Sequence, residues 1–159
     1  MSGQGASTME KLFLEDYEVG EVFITPARTI TETDIVSFAG LTGDWHPMHT
    51  DATYAAEGMF GERIAHGFLT LVIASALIFR LGRYVGLPKS FIAFYGLDDV
   101  RFTAPVKIGD TLHLEYEVVA IEDKDETKGL LTATGAIKNQ RDELCGTYRW
   151  RLLCGKRPA

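Results

Sequence analysis

Residues 67–79 read GFLTLVIASALIF, an apolar run broken only by Thr70 and Ser75. A helix lying on a protein surface keeps a polar face, and this stretch has none. The sequence therefore predicts a buried helix from Gly67 to about Leu81, enclosed by the rest of the chain. The run falls well short of the roughly 20 apolar residues needed to cross a bilayer, so no membrane span is expected.

Downstream of Leu87 the period changes from helical to two. Leu112, Leu114, Tyr116 and Val118 alternate with His113, Glu115, Glu117 and Val119, and Tyr148, Trp150 and Leu152 alternate with Arg149, Arg151 and Leu153. Each pattern predicts a strand with one face on the core. A weaker strand of small residues runs from Gly129 to Ile137. The polar groups Glu122–Glu126 and Asn139–Asp142 fit hairpin turns between these strands.

Upstream, a turn at Val19–Gly20 leads into a strand through Val22 to Thr29. Thr31 with Asp34 three residues later forms a helix-start pattern, and Ile35, Phe38 and Ala39 recur at helical spacing up to Gly40 or Gly43. A loop, Asp44–Trp45–His46–Pro47–Met48–His49, precedes a short helix from Asp51 to Glu57. One long helix followed by an antiparallel meander is an α+β layout with the sheet wrapped around the helix.

The 159 residues suit one domain, expected over residues 12–155, with residues 1–11 as a disordered lead. Hydrophobic residues at 46% and charged residues at 24% exclude a disordered chain. A net charge of −6 opposes unspecific binding to nucleic acid or anionic lipid. Met1 to Glu10 lacks the basic-then-apolar layout of a signal peptide. The two cysteines, Cys145 and Cys154, fall in one predicted strand, about 30 Å apart at about 3.3 Å per residue. They are expected to be reduced thiols of a cytoplasmic protein.

Three of the four histidines, His46, His49 and His66, fall close to Asp44 in sequence. Pro47 fixes its own φ and restricts its neighbour, so it stiffens the bridge between Asp44 and His49. A stiff bridge holds a carboxylate and an imidazole at a repeatable separation, as acid–base catalysis requires. The same residues suit a zinc or iron site about equally on spacing alone. Asp44 also suits a plain turn, and His49 a packed side chain. At Ala65–His66–Gly67 a helix begins, and free N–H groups there favour an oxyanion; the glycine also suits tight packing, and His66 a cap. Ser75 is expected to bond a backbone carbonyl one turn earlier.

Taken together, Gly43–Asp44–x–x–Pro47–x–His49, Ala65–His66–Gly67 and Ser75 resemble the MaoC-like group of (R)-specific enoyl-CoA hydratases and dehydratases. Asp16–Tyr17–x–x–Gly20 and Val100–Arg101–Phe102–x–x–Pro105–Val106–x–x–Gly109–Asp110 agree with it. The resemblance runs from about Leu12 to Leu152.

The resemblance implies a hotdog fold, a curved antiparallel sheet around one central helix. It implies a hydro-lyase that adds water to a 2-enoyl-CoA or removes it from a 3-hydroxyacyl-CoA. Asp44 and His49 then correspond to the acid–base pair, the Gly67 N–H to the group that binds the thioester oxygen, and Ser75 to the helix serine beside the pair. His46 and His66 become supporting or substrate-binding residues. His46 stands where the family usually has asparagine, which bears on the choice of acyl group. No metal and no cofactor are expected, coenzyme A being part of the acyl-CoA substrate. A homodimer or higher homo-oligomer is expected, with the contact around Phe91, Phe94 and Tyr95. A hotdog thioesterase and a non-catalytic acyl-CoA-binding protein are the alternatives.

Overall fold

The alternating segments downstream of residue 90 form four long strands. A computed structural model of the protein describes residues 9–158. The strands are β3 (Phe91–Phe102), β4 (Thr111–Asp123), β5 (Lys128–Lys138) and β6 (Leu144–Gly155). Two short strands, β1 (Val22–Ile24) and β2 (Arg28–Thr29), both pair with β4. The sheet order is β1-β4-β5-β6-β3, and every pairing is antiparallel. Both predicted hairpin turns fall where the polar groups placed them, between β4 and β5 and between β5 and β6.

The expected continuous strand from Val22 to Thr29 is two pieces, because Pro26 has no N–H to give the ladder. Thr25 carries the pairing across the break. Its N–H donates to the Leu114 carbonyl at 2.9 Å, and its hydroxyl accepts from the Leu114 N–H at 2.9 Å.

Helix α1 (Glu32–Thr42) starts as its sequence predicts. The Asp34 N–H donates to the Thr31 hydroxyl, while the Asp34 carboxylate accepts from the Thr31 N–H at 2.8 Å. It ends at Gly43, whose φ of 80° is the left-handed value that favours glycine. Two short helices follow, α2 (Pro47–Thr50) and α3 (Ala52–Glu57), and then α4 (Gly67–Ala76).

The apolar run departs from expectation in two ways. It is α-helical only to Ala76 and tightens into a 3₁₀ turn over Leu77–Leu81. It is also not enclosed. Leu71, Ala74 and Ile78 pack into the core, but Phe68 is 69% exposed, Val72 57% and Phe79 68%. A single sheet covers one side of the helix, so the far side of an all-round apolar helix stays open within one chain.

Against the covered side lie Phe23, Leu112, Leu114, Tyr116, Tyr148, Trp150 and Leu152, all buried. Phe23 stacks on Tyr116 with ring centroids 4.7 Å apart, and Tyr116 meets Trp150 edge-on at 5.1 Å. This sheet around a helix is the hotdog fold. Cys145 and Cys154 are both buried free thiols on β6.

Of the expected lead, residues 1–8 lie outside the described residues. Lys11 belongs to the folded body, because its buried side chain donates to the Asp16 carbonyl at 2.8 Å and pairs with Glu21 at 2.7 Å.

Candidate active site

The stretch expected to be a loop from Asp44 to His49 contains a helical turn. Pro47 occupies the first position of α2, where its fixed φ is already helical and its missing N–H costs nothing. His46 caps that turn, its Nδ1 accepting from the Met48 N–H at 3.2 Å. His49, on the same turn, is thereby held inward and buried.

The His49 Nδ1 lies 2.8 Å from the carbonyl oxygen of Ile64. A carbonyl only accepts, so Nδ1 carries the hydrogen and the neutral ring presents a bare Nε2. Burial is the largest influence on this imidazole and holds its pKa below the ordinary value; the neighbouring His66 acts in the same direction, and Asp44 opposes both. Asp44 is exposed, and its carboxylate accepts from the His46 N–H at 3.3 Å.

His66 completes the group from across the fold. Its ring stacks on that of His49 with centroids 3.8 Å apart and planes at 28°. Its Nε2 lies 3.0 Å from the Asp44 carbonyl oxygen. One ligating atom from each of Asp44, His49 and His66 lies within 4.8 Å of the other two. On geometry this group suits a metal ion as well as acid–base work, since each ring engages one nitrogen with a carbonyl and leaves the other without a partner among the described residues. The expected cap role of His66 is not what its side chain performs, for it makes no capping hydrogen bond to α4.

Gly67 opens α4, where the first N–H groups have no carbonyl in the helix to bond. A Cβ on Gly67 would sit 2.7 Å from the Phe102 ring, so the close approach of that ring requires glycine. His49, Gly67 and Phe102 line one cavity of about 370 Å³. Its other walls are mainly apolar, including Met48, Phe60, Ile64 and Val106, and no lining residue carries a carboxylate, ammonium or guanidinium group. Larger cavities, of about 410 and 470 Å³, lie on the outer face of the sheet and beside residues 78–91. Neither brings an imidazole to a free helix start.

The structure brings Asp44, His49 and His66 together, and of the expected site residues only His49 and Gly67 line the cavity. His46 does not line the cavity; it caps the turn that bears His49. Ser75 bonds no backbone carbonyl, and its hydroxyl donates to the Tyr148 hydroxyl at 3.1 Å. Ser75 does not line the cavity either. Residue type does not point to Ile64, which acts through its main chain. In the sequence Phe102 stands out only as part of a longer motif.

The MaoC like domain family matches residues 16–140 of the chain. The chain is 41% identical over 102 residues to Protein MaoC of Klebsiella aerogenes, a match covering 64% of this chain and 29% of that protein. It is 40% identical over 109 residues to the (R)-specific enoyl-CoA hydratase of Rhodospirillum rubrum, covering 69% of this chain and 71% of that one. The chain spans less than two thirds of the length of several curated relatives that it matches. Among solved structures, the monoamine oxidase regulatory protein of Archaeoglobus fulgidus aligns with a TM-score of 0.87 at 40% identity, covering 95% of this chain and 99% of that one. For the fold alone, a conserved hypothetical protein of Mycobacterium tuberculosis with a double hotdog fold aligns with a TM-score of 0.74 at 19% identity, covering 93% and 45%.

Proposed function

From the membership of this chain in the MaoC-like dehydratase family, we propose that it is an (R)-specific hydro-lyase acting on an acyl-CoA thioester. The reading is supported by one grouping above all: His49, with a bare Nε2, and the Gly67 N–H at a helix start line a single apolar cavity, and an Asp44 carboxylate oxygen lies within 4.8 Å of a His49 ring nitrogen. In the hydration direction, water adds across the double bond of a 2-enoyl thioester. Its hydroxyl joins the β-carbon and the α-carbon gains a hydrogen. His49 takes the proton from the attacking water at Nε2, with Asp44 holding that water, and the pair returns a proton to the α-carbon. Charge gathers on the thioester oxygen as an enolate, which the Gly67 N–H and the positive end of α4 stabilise.

The acyl group proposed is uncharged, since a second carboxylate would find no cation among the cavity walls. The reaction proposed uses no metal or other cofactor, because His49 Nε2 serves as the base and a metal-bound nitrogen could not also take the proton. The working unit is a homodimer or higher homo-oligomer. The open face of α4 and the free edge of β3, with Ile92 at 54% exposure, supply apolar surface for a second copy.

The test is a panel of 2-enoyl-CoA thioesters with product stereochemistry measured. Hydration to the (R)-3-hydroxyacyl product is expected. Asp44→Asn and His49→Ala should each lower its rate by roughly 10²–10⁴-fold, the usual worth of a positioned acid or base. Tight binding of coenzyme A with no turnover of any member would favour a non-catalytic acyl-CoA-binding protein.

A further inference from the structure

We propose that His66 is a positioning residue that locks the two members of the acid–base pair to each other, through its ring to His49 and through its Nε2 to Asp44. This rests on the hydro-lyase reading above. His66 is 3% exposed and lies between two rings, with Phe38 at 5.0 Å and His49 at 3.8 Å between centroids. The stack fixes the tilt of the His49 imidazole, whose other restraint is the single hydrogen bond to Ile64. Two restraints in different directions leave the His49 ring one orientation. At the same time the 3.0 Å contact to the Asp44 carbonyl fixes the main chain from which that carboxylate projects. A carbonyl only accepts, so Nε2 is the donor and this contact sets the tautomer.

Packing alone does not account for a histidine here. Its Nδ1 is buried with no partner among the described residues, and an apolar ring of similar size would bury no unmatched nitrogen. Capping does not account for it either, since the side chain makes no capping bond although His66 is the residue before α4. What a phenyl ring could not supply is the donor to Asp44. His66 also immediately precedes Gly67, so one residue ties together the Asp44 main chain, the His49 imidazole and the Gly67 N–H.

The experiment compares His66→Phe, which keeps a stacking ring and loses the donor, with His66→Gln, which keeps a donor of similar reach and loses the ring. Kinetics are measured with crotonyl-CoA, binding with the saturated butyryl-CoA, and folding by thermal melting. For His66→Phe, kcat should fall about 10- to 100-fold, the scale of a slight misplacement of reacting groups, with KM within about threefold of wild type. Butyryl-CoA affinity should hold, and His66→Gln should recover part of the lost kcat. If His66→Phe does not fold, His66→Gln is compared with His66→Ala, and a higher kcat in the glutamine variant is expected. The inference is overturned if His66→Phe turns over like wild type, or if the glutamine variant is no better than the variant lacking a donor. Those results leave the hydro-lyase reading intact while Asp44→Asn remains inactive. A wild-type protein that hydrates no enoyl-CoA overturns both.

Discussion

The Nδ1 of His49 sits 2.8 Å from the carbonyl oxygen of Ile64, a residue fifteen positions away in the chain. That contact fixes the tautomer of the ring and leaves Nε2 bare. It also bears on pH, because burial holds the imidazole below its ordinary pKa despite the hydrogen bond that favours its charged form.

Hydration should therefore fall on the acid side with a midpoint below about 6.5, the unperturbed histidine value. The sign follows from the neutral form being the base. Above the depressed pKa, Nε2 is free to accept; as the pH falls through it, the ring is protonated and the rate is lost. Stability follows the same direction: the unfolded chain binds this proton first, so the contribution of a neutral His49 is present above about 6.5 and lost as pH falls through the folded value. A kcat/KM profile against crotonyl-CoA checks the first point. An activity that instead rises on acidification through this range would make His49 the proton donor.

His46 should act through the turn it caps. Replacing its Nδ1 contact to the Met48 N–H by His46→Ala should cost about 1 kcal/mol, as loss of an N-cap does, and should lower kcat by loosening the turn that bears His49. His46→Asn should restore both, because an asparagine side chain caps as well as histidine does here. Chemical unfolding and steady-state kinetics of the two variants check this. A changed ranking of acyl groups in His46→Asn, with stability unmoved, would return His46 to substrate choice.

Ser75→Ala should reveal itself first in stability. The Tyr148 hydroxyl is its partner at 3.1 Å, and Tyr148 is buried, so the alanine leaves a hydroxyl unmatched at a cost of about 1–3 kcal/mol. Urea unfolding measures the loss. A wild-type unfolding midpoint together with a hundredfold drop in kcat would place Ser75 back beside the acid–base pair.

At micromolar concentration the protein should sediment at about twice the 17.6 kDa chain mass or above. Phe68, Val72 and Phe79 form the open helix face, and Ile92 and Phe94 stand on β3. Phe91, expected at the contact, is turned toward the core instead, and Tyr95 is engaged by Lys124 at 2.7 Å. Val72→Glu should shift the protein toward monomer, since a buried carboxylate without a partner opposes association. A fully active wild-type monomer would remove the oligomer from the proposal.

The local patterns in the chain were enough to foretell the sheet and its helix. Leu112 to Val118 and Tyr148 to Leu152 alternate because a strand turns successive side chains to opposite faces, and that period survives any packing. Thr31 and Asp34 mark a helix start because both partners lie within one turn. Asp44 and His49 were legible for a related reason, being close in sequence with Pro47 between them. The other contacts join residues far apart in the chain: His66 with Asp44, Ser75 with Tyr148, and Phe102 against Gly67. Each depends on how the helix seats in the sheet, which residue type and spacing do not encode. The open face of α4 is of the same kind. Its apolar composition says that the face is to be covered, and only the packed chain shows that a single copy leaves it bare.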